Sequence, residues 1–428
     1  MNGLHKMMMQ LQDQRHRFEE LLAAAKGKSP PGQDGPTRLW EVTAFGSNPG
    51  NLRMRAYVPE RLTSRPALVV ALHGCTQTAD EYDRGAGWST LAERRGCIAV
   101  YPQQQPSNNP NNCFSWFLPA DSRRDQGEAL SIRQMVDHAI VNFGVDRRRV
   151  FVTGLSSGGA MASVMLAAYP DVFAAGAIVA GLPYGCATSV NEAFGVMFTE
   201  QSPSARALGD RVRSASKHRG PWPKISVWHG TADAIVKPAN AENIIRQWID
   251  VHRLRTHPSY EESVAGHTRR VWSDASGEAQ IEAFAIKGMA HGVPITPGCG
   301  APGPFFLDAG ISSTQHIANF WHLEDAANTL EAAVPWGSRP AHMEADTGNT
   351  EFAAVFRQSD IKSAEWRCGA GATHAALRPL DPNRVIAAAF EAAGLPVPKL
   401  ASRPSEATPR VVPDPIIEAT LKAAGLIR

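Results

Sequence analysis

A sharp reversal is written into residues 154–158, Gly154-Leu155-Ser156-Ser157-Gly158. The apolar run Val150-Phe151-Val152-Thr153 precedes it. Gly159-Ala160-Met161-Ala162-Ser163-Val164-Met165-Leu166 follows, with the composition of a helix. A strand that enters a helix through G-x-S-x-G must turn within a few residues, and the glycines permit it. The serine hydroxyl is then lifted clear of the strand end. The five residues alone would be a weak pattern, because Gly and Ser are common in turns. Their seat between a buried strand and a small-residue helix makes Ser156 a candidate nucleophile in an α/β fold.

The flanking segments extend that expectation. Alternating apolar and polar residues at 39–43 and 52–58 predict an antiparallel pair with one wet face. Residues 67–72 are continuously apolar, as strands buried on both faces are. Further strands are expected at 98–101, 150–153, 175–180, 225–228 and 281–286. Helical patterns fall between them at 126–141, 239–254 and 312–321, and Asp125-Gln126-Gly127-Glu128 reads as a capping box for the first. Strands alternating with helices predict a mostly parallel central sheet covered on both faces, the α/β-hydrolase arrangement.

Charge and composition remove several classes of function. A net charge of +2 on 428 residues provides no concentrated basic face for nucleic acid. No apolar run approaches the roughly 18 residues that span a bilayer. None of the six cysteines forms C-x-x-C, and no His/Cys cluster has zinc-ligand spacing, so no metal and no cofactor are expected. Cys97 lies in an apolar strand and reads as a buried free thiol.

The ends differ from the body. Residues 1–28 carry charges throughout, without the uninterrupted apolar core of a signal peptide, and suggest a short helix followed by a Pro/Gly linker to residue 36. This points to a cytoplasmic location. After residue 323 the chain reads as linker, with two short helices. Asp381-Pro382 and Asp414-Pro415 would open them, and Gly394 and Gly425 would close them. The expected division is 1–36, a catalytic body over 37–323, and a helical tail over 324–428.

A serine hydroxyl needs a base to take its proton and an acid to hold that base. The run 225–228 leads directly into His229-Gly230-Thr231-Ala232-Asp233, which puts Asp233 on the loop after a strand. The strand 281–286 leads into Lys287-Gly288-Met289-Ala290-His291-Gly292, which does the same for His291. The order Ser, Asp, His suits this fold. Asp210, Asp250 and Asp274 lie in polar or helical stretches, and His267, His316 and His322 lack a comparable strand-end seat. Two backbone amides should face the developing oxyanion: that of Ser157, and that of Cys75 in the loop His73-Gly74-Cys75-Thr76. In the polar-aromatic stretch 112–117, Phe114 and Trp116 either line a substrate cleft or fasten a long loop to the body.

With these motifs assembled, the chain resembles the polyhydroxybutyrate depolymerase family of esterases, close to feruloyl and acetylxylan esterases. The matching stretches are Leu72-His73-Gly74-Cys75-Thr76-Gln77, Asn112-Cys113-Phe114-Ser115-Trp116, Gly127-Glu128-Ala129-Leu130-Ser131-Ile132-Arg133 and Gly154-Leu155-Ser156-Ser157-Gly158-Gly159. To these are added His229-Gly230-Thr231-Ala232-Asp233, Met289-Ala290-His291-Gly292 and Gly310-Ile311-Ser312-Ser313-Thr314. The resemblance covers about 40–323. It implies Ser156 as nucleophile, Asp233 as acid, His291 as base and the Cys75 amide in the oxyanion hole. It also implies a Cys75–Cys113 disulfide, a second between Cys186 and Cys299, and an extracellular setting as the alternative location. The expected substrate is a hydroxyalkanoate oligomer or a small or carbohydrate-linked ester, and the sequence leaves the oligomeric state open. The competing readings are a peptidase or acyltransferase on the same fold, and a non-catalytic polymer- or granule-binding protein.

Overall fold

The computed structural model describes residues 37–198 and 202–323, residues 16 and 20, and the two-residue strand Val334–Pro335. Apart from His16 and Glu20, which are helical, the expected N-terminal helix and linker lie outside the described residues, as do both tail helices.

Among the described residues, ten strands form one sheet: β1 (Trp40–Val42), β2 (Arg53–Tyr57), β4 (Leu68–Leu72), β5 (Ile98–Gln103), β6 (Val150–Leu155), β7 (Ala175–Val179), β8 (Lys224–Gly230), β9 (Tyr260–Val264), β10 (His267–Ser273) and β11 (Ala279–Ile286). Their order is β1-β2-β5-β4-β6-β7-β8-β11-β10-β9. The six from β5 to β11 are parallel, and the pairs at either edge are antiparallel. β3 (Arg61–Leu62) pairs with β14 (Val334–Pro335), and β12 (Val293–Ile295) pairs in parallel with β13 (Phe306–Asp308). The strand side-chain period of two divides the core. Leu68, Val70 and Leu72 of β4 face one layer, while Val69 and Ala71 face the other.

The first layer is closed by α4 (Gly127–Phe143), α5 (Ser157–Ala168) and α8 (Ala239–His252), whose apolar residues join one cluster. The second is closed by α1 (Ala79–Ala86), α2 (Trp88–Arg95) and α9 (Ser313–Phe320). The short helices α3 (Pro119–Ser122), α6 (Val190–Phe198) and α7 (Ala205–Ser214) fill the connections. This is the expected α/β-hydrolase sheet, with helices on both faces. Every residue of α5 is buried, as befits a helix apolar on all sides. Among the described residues, no helix is long and apolar enough to cross a membrane.

Three local expectations need correction. The capping box lies at α1, where Thr78 Oγ1 accepts from Glu81 N at 3.2 Å and Glu81 Oε2 accepts from Thr78 N at 2.8 Å. At α4 the cap residue, Gln126, makes no side-chain cap bond, and Glu128 points into the protein. The antiparallel extension β9–β10 was not expected, because β9 is Tyr-Glu-Glu-Ser-Val and mostly exposed. Charge pairing across the strands supports it instead of burial: Arg269 donates to Glu262 at 2.7 Å and to Glu282 at 2.8 Å. Finally, Cys75 and Cys113 are bonded, whereas Cys186 and Cys299 are free. Cys186 packs against the α4/α5/α8 layer, while the Cys299 loop lies on α1 in the other layer, so the sheet separates them. Cys97 is a buried free thiol, and burial pushes it up to about 12.

Candidate active site

Ser156 closes β6 and caps α5. Its φ of 56° and ψ of −115° place a non-glycine residue in a sparsely occupied region, the strained corner of a nucleophile elbow. Two backbone bonds hold it there. Ser156 N donates to Val179 O at 2.9 Å, and Ala160 N donates to Ser156 O at 2.8 Å. The turn also requires close approach to β4. A Cβ on Gly158 would lie 2.3 Å from Leu72 O and 2.4 Å from His73 O, so only glycine fits. The loop after β4 is thereby brought against the first turn of α5.

Asp233 and His291 follow the neighbouring parallel strands β8 and β11, which pair Gly230 with Ile286. Their loops are laced together: Thr231 N donates to Ile286 O, Ala232 N to Met289 O (both 3.0 Å) and Gly288 N to Thr231 Oγ1 (2.8 Å). A Cβ on Gly230 would sit 2.2 Å from Met289 O, so glycine allows the two loops to touch. His291 Nδ1 donates to Asp233 Oδ2 at 2.7 Å. The other carboxylate oxygen accepts from Ile235 N and Val236 N, both at 2.9 Å. Burial pushes the Asp233 pKa up. The charge and hydrogen bonds of His291, with those of His229, outweigh that and hold it well below the carboxylate range. An ionised carboxylate only accepts, so His291 Nδ1 is the donor in this bond.

His229 is a second histidine on the same acid, passed over by sequence reasoning. Its Nε2 lies 2.8 Å from Val236 O and 3.2 Å from Asp233 Oδ2, and the residue is buried. The structure thus joins Asp233 to His291 and sets Ser156 at the same carboxyl rim of the sheet. Among the described residues, no hydrogen bond links Ser156 Oγ to the His291 ring. Such bonds are often long before substrate binds.

Ser157 opens α5, so its amide has no acceptor within the helix. In the loop after β4 the amides around Cys75 are committed: Gly74 N to Gln77 Oε1 at 2.8 Å and Thr76 N to Asn111 O at 2.6 Å. The Cys75–Cys113 disulfide ties this loop to the segment after β5. Beneath it lies a buried polar chain. His73 Nδ1 bonds Gly74 O at 2.8 Å, and Gln104 N donates to His73 Nε2 at 3.0 Å. Gln104 Nε2 and Ser115 N both donate to Glu128, at 2.6 and 2.9 Å. Burial pushes His73 down to about 4 and Glu128 up to about 8. Phe114 is 0% exposed, with its ring 4.9 Å from that of His73, so it fastens the loop and does not line a cleft. Trp116 keeps only 8% of its surface and packs edge-on against Phe117.

A family model described as Esterase PHB depolymerase matches residues 54–272, which include Ser156 and Asp233 and end before His291. Poly(3-hydroxyalkanoate) depolymerase C of Paucimonas lemoignei is 46% identical over 289 residues, covering 66% of this chain and 70% of that protein. This chain belongs to the PHB depolymerase family of esterases. An acetylxylan esterase of Coprinopsis cinerea is 36% identical to this esterase over 275 residues, covering 62% of this chain and 72% of its own. Among solved structures, an acetyl xylan esterase from Aspergillus awamori superimposes with a TM-score of 0.59 at 27% identity, over 67% of this esterase and 99% of that chain. The protein is a serine esterase with the α/β-hydrolase fold.

Proposed function

We propose that Ser156, Asp233 and His291 form the catalytic triad, with the amides of Cys75 and Ser157 as the oxyanion hole. The observation that carries the reading is the 2.7 Å bond from His291 to a carboxylate held ionised, on loops beside the strained elbow of Ser156. Ser156 Oγ attacks the ester carbonyl while His291 Nε2 takes its proton. The oxyanion rests on the two amides, that of Cys75 on a loop tied down by the Cys75–Cys113 disulfide. The alcohol leaves with the proton from His291, and water activated by the same ring releases the acid.

The substrate class is hydroxyalkanoate esters of oligomer size, supported by the similarity to poly(3-hydroxyalkanoate) depolymerase C. Carbohydrate-linked acetyl esters are the second reading, supported by the similarity to the acetylxylan esterase. Ser156→Ala should lower turnover of p-nitrophenyl butyrate by about 10⁶ and abolish labelling by a fluorophosphonate. Near-normal activity in that variant overturns the triad. Comparing kcat/KM on hydroxybutyrate trimers, feruloyl sugars and acetylated xylan decides the substrate class.

A further inference from the structure

Residues Gly303-Pro304-Phe305-Phe306 make a tight turn, in which Phe306 N donates to Gly303 O at 3.0 Å. Proline at the second position and a φ of 65° at the third define a type II turn. That third position calls for glycine or asparagine, and an aromatic residue there is a strained outlier. Phe305 is nonetheless built into the loop that carries His291. Its carbonyl accepts from Val293 N at 2.8 Å, two residues beyond the histidine. Its half-buried ring packs against both core layers at the rim of the sheet. The ring stands at 81° to the His291 imidazole, with centroids 5.9 Å apart.

We propose that Phe305 is a positioning residue for the general base, a role that rests on the triad assignment above. Asp233 holds the imidazole at Nδ1 but leaves it free to swing about that bond. The Phe305 ring stands against its side and limits the swing, which keeps Nε2 toward Ser156. The strained turn fixes the ring because the Gly303–Phe306 hydrogen bond closes the turn on one side, while Val293 N and the pairing of β12 with β13 hold the Phe305 carbonyl side against the segment after His291. Glycine would satisfy the turn and leave this side of the imidazole open.

The test uses three variants of the full chain, assayed on p-nitrophenyl butyrate as kcat per site titrated to completion with a fluorophosphonate. Phe305→Gly fits the turn and removes the ring. Phe305→Leu keeps apolar bulk without a ring, and Phe305→Tyr keeps the ring. The expected result is a fall in kcat of roughly 10- to 100-fold for Gly and Leu, the scale of an ~1 Å misplacement of a catalytic group. KM should stay within about 2-fold, and Tyr should stay within about 3-fold of the parent kcat, the pattern of an interaction used only in the transition state. Near-parent kcat per site in Phe305→Gly, whatever its melting temperature, overturns the proposal. So does a Tyr variant as impaired as Gly. Should Gly fail to fold, Leu decides by the same criterion. An active Ser156→Ala would remove the triad and this role together, whereas an inactive Ser156→Ala beside an unimpaired Phe305→Gly removes this role alone.

Discussion

Glu128 should make this protein lose stability as pH rises across the neutral range, and Glu128→Gln should remove most of that dependence. The carboxyl is 2% exposed and sits beneath the loop after β5. Burial is the largest influence and nearby Asp121 adds to it. Hydrogen bonds from Ser115 and Gln104 offset them only partly, leaving the group at about 8 against an ordinary 4.5. The folded protein therefore binds this proton more tightly than the unfolded chain does. Its stabilising contribution is complete below about pH 4.5 and is lost as pH rises through about 8. The two values set a ceiling of about 5 kcal/mol, and water reaching a relaxed site brings the expected loss to about 2–3 kcal/mol. Gln cannot ionise. It keeps an acceptor for one donor but turns an NH₂ toward the other, at a pH-independent cost of about 1–3 kcal/mol. Urea denaturation of both proteins from about pH 5 to about pH 8.5 reads the difference directly. The variant should be less stable at the acid end, and the gap should close or reverse at the alkaline end. Background titrations common to both proteins cancel in the difference. Parallel stability curves would refute the reasoning, because they would mean that Glu128 folds already ionised.

Other consequences are as specific. Asp233→Asn should lower kcat on p-nitrophenyl butyrate by about 10⁴, because an amide favours the wrong tautomer of His291. Burial lowers the pKa of both His73 and His252 to about 4, so each contributes stability above about pH 6.5 that is lost as pH falls toward 4. His252→Gln, remote from the site, should flatten that acid limb in denaturation curves by up to about 3 kcal/mol without changing kcat. The Cys75–Cys113 bond closes a loop of 38 residues, so Cys75→Ser/Cys113→Ser should lose about 2–4 kcal/mol in urea denaturation. The same variant should show a lower kcat if the Cys75 amide serves the oxyanion as proposed.

The parts of the structure legible in the sequence were those decided by local pattern. Val150 to Thr153, the elbow and the small-residue helix state their own geometry. Asp233 and His291 each follow a recognisable buried strand, so their seats at strand ends could be read one at a time. What the sequence hid depends on which surfaces meet. Glu128 sits two residues into a helix, where a capping role is the natural local reading, and only the fold shows Gln104 and Ser115 arriving to bind it. β9 is polar and is held to β10 by the ion pair of Arg269 with Glu262 directly opposite, a register that local periodicity does not contain. Cys186 and Cys299 looked like partners until the sheet was seen to lie between them. Phe114 and Trp116 drew attention as aromatics in a loop, yet the disulfide folds that loop inward. Phe305 did carry a signal, since Gly-Pro-Phe puts a ring where a type II turn favours glycine.

The site places its strain in the backbones of Ser156 and Phe305 and its densest hydrogen bonding on the Asp233 carboxylate. Ser156 and Phe305 both hold positive φ, at 56° and 65°, in positions where a relaxed chain would use glycine. Each such residue costs about 1–3 kcal/mol and persists only where its surroundings over-determine it. At Ser156 the surroundings are the fully buried helix α5 and the Val179 carbonyl. At Phe305 they are the turn, the Val293 amide and two core layers. Asp233, by contrast, receives two backbone amides and two histidines and has no reason to move. In the proposed triad, strain borne by the Ser156 backbone and by the ring beside His291 leaves few degrees of freedom to organise when an ester arrives. A relaxing substitution at Phe305 should therefore lower turnover before it lowers stability, the opposite order to that expected of ordinary core residues.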